Sequence, residues 1–138
     1  SGSVNVDLSG VMLTSLRAAM GSGSSDFILP LSADAYTAEI ESGSGSVKID
    51  LPAETDVVLS LDSGSGSVNI NLPPASGLRI EIMDSGSGSM NIPARMEQVN
   101  GTSTSETGTW QTSGFDKAAN KIVIKIVNRG SGSISIHQ

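Results

Sequence analysis

The sequence predicts an all-β chain, a single right-handed β-solenoid of β-helix-like form, built from coils of 21–22 residues with Gly-Ser-Gly corners. Three observations predict it. The segment Ser-Gly-Ser-Gly-Ser returns along the chain, as SGSGSVKIDLP from Ser42, SGSGSVNINLP from Ser63, SGSGSMNIP from Ser85 and, with Arg129 leading, RGSGSISI. The copies keep a period: Gly23, Gly45, Gly66 and Gly88 lie 22, 21 and 22 residues apart, and Gly132 follows after 44, which is two periods. Behind each glycine pair apolar and polar residues alternate, as in a half-buried strand. One supersecondary unit repeated at this spacing is what a solenoid needs.

The elements follow in order. Gly2 heads a first copy, GSVNVDL, 21 residues before Gly23. In the later copies Val47, Ile49 and Leu51 alternate with Lys48 and Asp50, and Val68, Ile70 and Leu72 with Asn69 and Asn71. Proline ends these strands at Pro30, Pro52, Pro73 and Pro93, because it has no N–H for the ladder. A second alternating run closes each period: Tyr36, Ala38, Ile40; Val57, Leu59, Leu61; Leu78, Ile80, Ile82; and Ile122, Ile124, Ile126. Each coil thus carries at least two strands. Stacked coils would align Val47, Val68, Met90 and Ile134 in one inward column, and Ile28, Ile49, Ile70, Ile92 and Ile136 in another, with a shift of one in the second copy. The corners are Gly21 and Gly23, Gly43 and Gly45, Gly64 and Gly66, Gly86 and Gly88, and Gly130 and Gly132, where glycine reaches positive φ and lets coils stack closely. Right-handed winding is expected from strand twist and crossover handedness.

The chain is read as one domain over 1–138, with regular coils over 1–93, an irregular excursion or degenerate coil over 94–116, and closing coil strands over 117–138. In the middle stretch MEQVNGTSTSETGTWQTSGF replaces alternation with Ser, Thr and Gly, yet Gly108 lies 22 residues after Gly86 and 22 before Gly130. A coil in register with an excursion is expected there, since a structureless loop of this length is unusual in a compact domain.

Composition excludes several classes. Aromatic residues make up 3%, so the core is aliphatic, and the absence of cysteine removes disulfides, thiolate metal sites and thiol catalysis. No run approaches a membrane-spanning length, the most apolar, KIVIKIV from Lys121, carrying two lysines. No signal peptide is visible, and the chain opens inside a repeat copy, as a mature or trimmed product would. A formal charge of -6 argues against nucleic acid as a partner. Residues 1–116 hold all 14 acids against Arg17, Lys48, Arg79 and Arg95, whereas 117–138 hold Lys117, Lys121, Lys125 and Arg129 and no acid, so an acidic front and a basic rear are expected.

The repeats GSVKIDLP and GSVNINLP, the opening VDLSGVMLTSL, and the closing W-x-T-x-x-F-x-x-A-x-x-K-I-x-I-x-I with GSGSISI resemble the bacterial toast-rack and adhesin-like β-solenoid families. These include the C-terminal domains of Lia-type proteins associated with responses to cell-wall-active antibiotics. The resemblance covers nearly the whole chain and implies an extracytoplasmic place at the cell envelope. Such proteins often carry Asp after the second glycine, where this chain has Ser24, Ser46, Ser67, Ser89 and Ser133.

No catalytic, metal or cofactor residue emerges. The glycine corners lack the Lys-Ser/Thr and helix of a phosphate-binding loop and the aspartates of calcium-binding repeats. The only histidine, His137, is near the C-terminus, and no serine has a base placed beside it by motif. Acid pairs such as Glu39 with Glu41, or Asp50 with Asp62, fall on outward strand positions, a solvated face rather than the two sides of a glycosidase cleft. Trp110 and Phe115 are the candidate partner-binding pair, set against a role as core plugs where the aliphatic repeat lapses. The Thr/Ser run from Thr102 to Thr109 is not repeated in other coils, which speaks against an ice-binding array, and Asn100-Gly101-Thr102 is formally a glycosylation acceptor as well as a turn signal.

The sequence is therefore expected to encode a non-enzymatic envelope scaffold or adhesin-like interaction module, on the bacterial surface or secreted, with its partner a protein or envelope component. The alternative is a structural subunit whose uncapped coil ends stack head to tail into an extracellular filament, a homopolymer.

Overall fold

The computed structural model describes every residue except Ser1, Ala75, Ser85 and 102–106. The regular coils supply alternating pairs of strands: β1 Ser3–Asp7, β2 Ser15–Met20, β3 Ser24–Ile28, β4 Tyr36–Ser42, β5 Ser46–Asp50, β6 Val57–Ser63, β7 Ser67–Asn71, β8 Gly77–Ile82 and β9 Ser89–Asn91. Then come β10 Met96–Asn100, β11 Gly108–Thr112, a 3₁₀ turn at Phe115–Lys117, β12 Lys121–Asn128 and β13 Ser133–His137. Two sheets face each other. One runs β1-β3-β5-β7-β13-β9 and the other β10-β11-β8-β12-β6-β4-β2. The core between them is aliphatic, with Ile49, Ile70, Leu59, Leu61, Ile80, Ile124 and Ile126 fully buried.

Register follows the glycines. Ser46 pairs with Ser24 on one side and Ser67 on the other, so Val47 faces Val68, and Ile49 faces Ile70, across neighbouring coils. In the second coil the same register sets Ser25 beside Val47 and Phe27 beside Ile49. Phe27 therefore holds the inward position expected for Ile28, and Ile28 faces solvent beside Asp50, 37% exposed. The coil keeps its phase, and no shift of one residue is needed because Phe27 supplies the apolar group.

The coils do not stack in chain order. In the first sheet β13 lies between β7 and β9, and in the second β12 lies between β6 and β8. The crossover from β7 to β8 leaves one strand's width empty behind β6. The last strands fill it: Ile122, Ile124 and Ile126 sit beside Val57, Leu59 and Leu61 on one side and beside Leu78, Ile80 and Ile82 on the other. Thus Ile134 stands between Val68 and Met90 rather than beyond Met90. This corrects the expectation of a terminal basic coil, because Lys121 and Lys125 lie in an interior strand and the C-terminal strand is no end of the stack.

The segment 94–116 is not a degenerate coil. β10 and β11 form an antiparallel hairpin, with a bulge between Gln98 and Asn100, that adds to the rear edge of β8. Gly108, for all its periodic spacing, lies in β11 opposite Ile82 and makes no corner. The reason is local: the stretch offers no apolar alternation ahead of a glycine pair, and Trp110, set opposite Ile80, closes the core instead. The Thr/Ser run lies for most of its length outside the described residues, as does Thr102 of the acceptor triplet. Counted from the front, where β1 and β2 are the edges, one sheet is six strands deep and the other seven. The front is flush; the rear is stepped by the hairpin.

Candidate functional site

The corner glycines set the geometry of the stack. Two columns run through the stack. A Cβ on Gly43 would lie 2.5 Å from the Gly21 carbonyl oxygen, and Gly64, Gly130 and Gly86 continue that column, each with its Cβ direction blocked by the glycine in front. The second column passes through Gly2, Gly23, Gly45, Gly66, Gly132 and Gly88 in the same way. Positive φ occurs at Gly23, Gly86 and Gly130 but at none of Gly43, Gly45, Gly64, Gly66, Gly88 and Gly132. At those six the glycine requirement is close approach of backbone to backbone, not the left-handed conformation.

Trp110 and Phe115 are both buried, at 4% and 5% exposure, so they offer no exposed pair to a partner. Their surroundings explain the closing motif. Thr112 Oγ1 accepts a hydrogen bond from the Leu78 amide at 3.0 Å, where the β11–β8 ladder has run out after Gln111 and Arg79. Phe115 packs on Gly77, whose Cβ would fall 2.6 Å from the Ala118 Cβ and 3.3 Å from the Phe115 ring. The Arg79 guanidinium lies 4.4 Å from the Phe115 ring centroid and donates at 3.0 Å to the Gln111 side-chain oxygen. Trp110, Thr112, Phe115 and Ala118 are thus the parts that lock the hairpin and its 3₁₀ turn against β8.

Sequence reasoning missed Arg129. It occupies the place of a corner serine, is 2% exposed, and donates from Nη2 to the Gly86 carbonyl at 2.8 Å, tying the inserted strand to the rear corner. Its departure from the serine of the other copies was the available signal.

The outward faces carry exposed ion pairs, Arg17 with Glu41 at 3.2 Å and with Glu39 at 3.7 Å, and Lys48 with Asp50 at 3.3 Å. Such pairs contribute little to stability. Asp7 is held below its ordinary value by the Ser9 hydroxyl and then the Ser9 amide. Among the described residues no His, Cys, Asp and Glu cluster could hold a metal ion. His137 lines a shallow cleft of about 520 Å³ with Arg95, Asn91 and Gln138, in which Arg95 bonds to Gln138 and to the Ser76 carbonyl.

The edge of the hairpin is also exposed. In β10 only Met96 is partly buried, Glu97 to Asn100 being exposed, with Val99 at 57%. Among the described residues nothing pairs with its outer side, and Met83, 54% exposed, lines a groove with Glu81, Asn100 and Thr109 at the same corner. The Toastrack DUF4097 family model matches residues 1–137. The chain belongs to the toast-rack family. The toast-rack chain is also similar in structure to a candidate cell adhesion protein from Clostridium sporogenes, with 14% identity over 99% of this chain and 92% of that one and a TM-score of 0.58, a likeness of fold. None of the curated proteins matches it. Among the described residues no helix is long and apolar enough to cross a membrane.

Proposed function

We propose that the toast-rack chain is a non-enzymatic, adhesin-like scaffold at the bacterial cell surface, which presents the β10 edge to a protein or envelope partner. The observation that carries this is the rear hairpin: Trp110 and Phe115 are buried where the hairpin and its 3₁₀ turn meet β8, while among the described residues β10's outer edge and Val99 are left uncovered. A rigid strand edge offers main-chain hydrogen bonds to an extended partner, with pockets for alternate side chains setting specificity. The family and the adhesion-protein neighbour support an extracytoplasmic setting.

The test is binding of the purified chain to isolated envelope material, compared with Val99→Lys. A charge on an exposed edge discourages strand addition without touching the core. Binding should fall about ten-fold or more, with the circular dichroism and melting temperature unchanged. Equal binding by both chains would remove β10 as the recognition edge.

Head-to-tail filament assembly is the second reading, and the unpaired β1 and β2 edges favour it. The stepped rear opposes it. A flush front laid on β9 would drive β2 into the space held by β10.

A further inference from the structure

Seven asparagines lie along the chain, and one of them, Asn100, is followed by glycine. Asparagine is thermolabile because the backbone nitrogen of the next residue can attack its side-chain carbon. The attack closes a five-membered ring, so it needs a side chain folded back over its own peptide, an amide outside any ladder, and no branched Cβ in the way. At the other six the fold denies one of these. Asn5, Asn69 and Asn91 are followed by the β-branched Val6, Ile70 and Ile92. The Leu72 amide after Asn71 donates to the His137 carbonyl at 2.8 Å, and the Lys121 amide after Asn120 donates to Asp56 Oδ1 at 2.7 Å. Asn128 turns its Oδ1 to the Gly130 amide at 2.9 Å, past the Arg129 nitrogen.

Asn100 meets all three conditions. It ends β10, its pairing with Thr109 closes the β10–β11 register, and both it and Gly101 are exposed. Gly101 has no Cβ, and its amide donates to the Asn100 Oδ1 at 2.8 Å, so the side-chain carbon that bears this oxygen lies close to the nitrogen it would join. The turn cannot trade this glycine for a residue that shields the bond. Gly101 has a φ of 95°, and a Cβ there would come 2.6 Å from the Thr107 carbonyl oxygen.

We propose that Asn100 with Gly101 is a modification site, at which the folded chain converts asparagine to aspartate and isoaspartate by reaction with water. Solvent hydroxide takes the Gly101 amide proton, and the nitrogen bonds to Asn100 Cγ. The side-chain nitrogen takes a proton from water and leaves as ammonia, which completes a cyclic imide. Water then opens the ring. Attack at Cγ breaks the new C–N bond and leaves aspartate; attack at the main-chain carbonyl breaks the original peptide bond and leaves isoaspartate, whose main chain runs one carbon longer. The sum is amide and water to acid and ammonia, with no oxidant or reductant. Either product sets a carboxylate at the end of β10, in the groove that Asn100 shares with Glu81 and Met83. The like charge of Glu81 and the longer main chain both act against the Asn100–Thr109 pairing. The edge strand therefore changes charge and length with the age of the molecule. The conversion does not depend on the role assigned to β10.

The test follows the folded 138-residue chain at mildly alkaline pH by ion exchange and peptide mapping. A more acidic species should accumulate, faster at higher pH, with the change confined to Asn100 and isoaspartate among its products. Hydroxylamine, which cuts at a cyclic imide, should release fragments 1–100 and 101–138. The same chain in urea separates the bond from the fold. Asn100 should convert as fast folded as unfolded, whereas the other asparagines, which react only through local opening, should be slowed about ten-fold or more by folding. Asn100→Gln cannot close the five-membered ring and leaves the core untouched, so it should melt as the parent does and yield neither the acidic species nor the fragments. Folding that slows Asn100 as much as the others, an Asn100 that outlasts Asn120 or Asn128, or an undiminished acidic species in Asn100→Gln would each overturn the proposal.

Discussion

Gly66 and Asn69 lie three residues apart, one at a corner and one on the outward face of β7, and they separate two kinds of constraint. A Cβ at Gly66 would fall 1.7 Å from the carbonyl oxygen of Gly45, and the backbones of two coils cannot part without breaking the hydrogen bond that the Ser67 amide donates to that oxygen. Gly66→Val should therefore cost about 3 kcal/mol or more, at the upper end of overpacking, and Asn69→Val about 0.5 kcal/mol or less. Thermal melts of the two variants check the ordering, and equal midpoints would refute it. Tyr36 sets a different limit. It is 2% exposed, its hydroxyl donates to the Pro30 carbonyl at 2.9 Å, and burial pushes its pKa up to about 12. The unfolded chain loses that proton near pH 10, before the folded one does, so stability is complete below about pH 10 and falls between about pH 10 and 12. Urea titrations across that range should show the decline, and Tyr36→Phe, weaker by about 1 kcal/mol at neutral pH for its lost hydrogen bond, should lose the Tyr36 share of it.

At the scale of elements, the sequence was most legible where local pattern and global packing agree. Strands β5, β6 and β7 follow directly from period-two alternation, because their inward residues are flanked on both sides by small or apolar inward residues of neighbouring strands. The same alternation read β12 and β13 correctly as strands. It could not place them, since Ile122 to Ile126 would bury equally well in any slot flanked by aliphatic columns. The order is decided by a gap that another part of the chain leaves behind β6. The hairpin was illegible for the opposite reason. β10 has Met96 and Val99 three residues apart, neither a strand nor a helix pattern, and it is a strand because β11 supplies a partner. Of the candidate site residues, Trp110 and Phe115 stood out as aromatics where the aliphatic repeat lapses, and they lie buried as core plugs would, but the exposed β10 edge beside them was not visible in the sequence.

The whole molecule is a stack whose energetics are not uniform from front to rear. In a simple solenoid each coil contacts only its neighbours, stability is close to a sum of coil and interface terms, and either end can be trimmed at similar cost. The insertion of β12 and β13 breaks that equivalence. Removing residues 1–22 deletes a coil that contacts one neighbour, and the new front, β3 and β4, keeps its packing on β5 and β6. Removing residues 121–138 deletes strands paired on both sides and leaves β6 and β8 with no common partner and Leu59 and Ile80 beside a slot. The amino-terminal truncation should therefore fold and unfold in one cooperative transition with a lower midpoint, whereas the carboxy-terminal truncation should lose cooperative unfolding and the rear hairpin's protection in amide hydrogen exchange. Two chains that melt alike would mean that β12 and β13 dock on a body already complete. Loss of cooperativity only in the chain that lacks its carboxy-terminal strands would make β12 and β13 the elements that join the front coils to the hairpin edge.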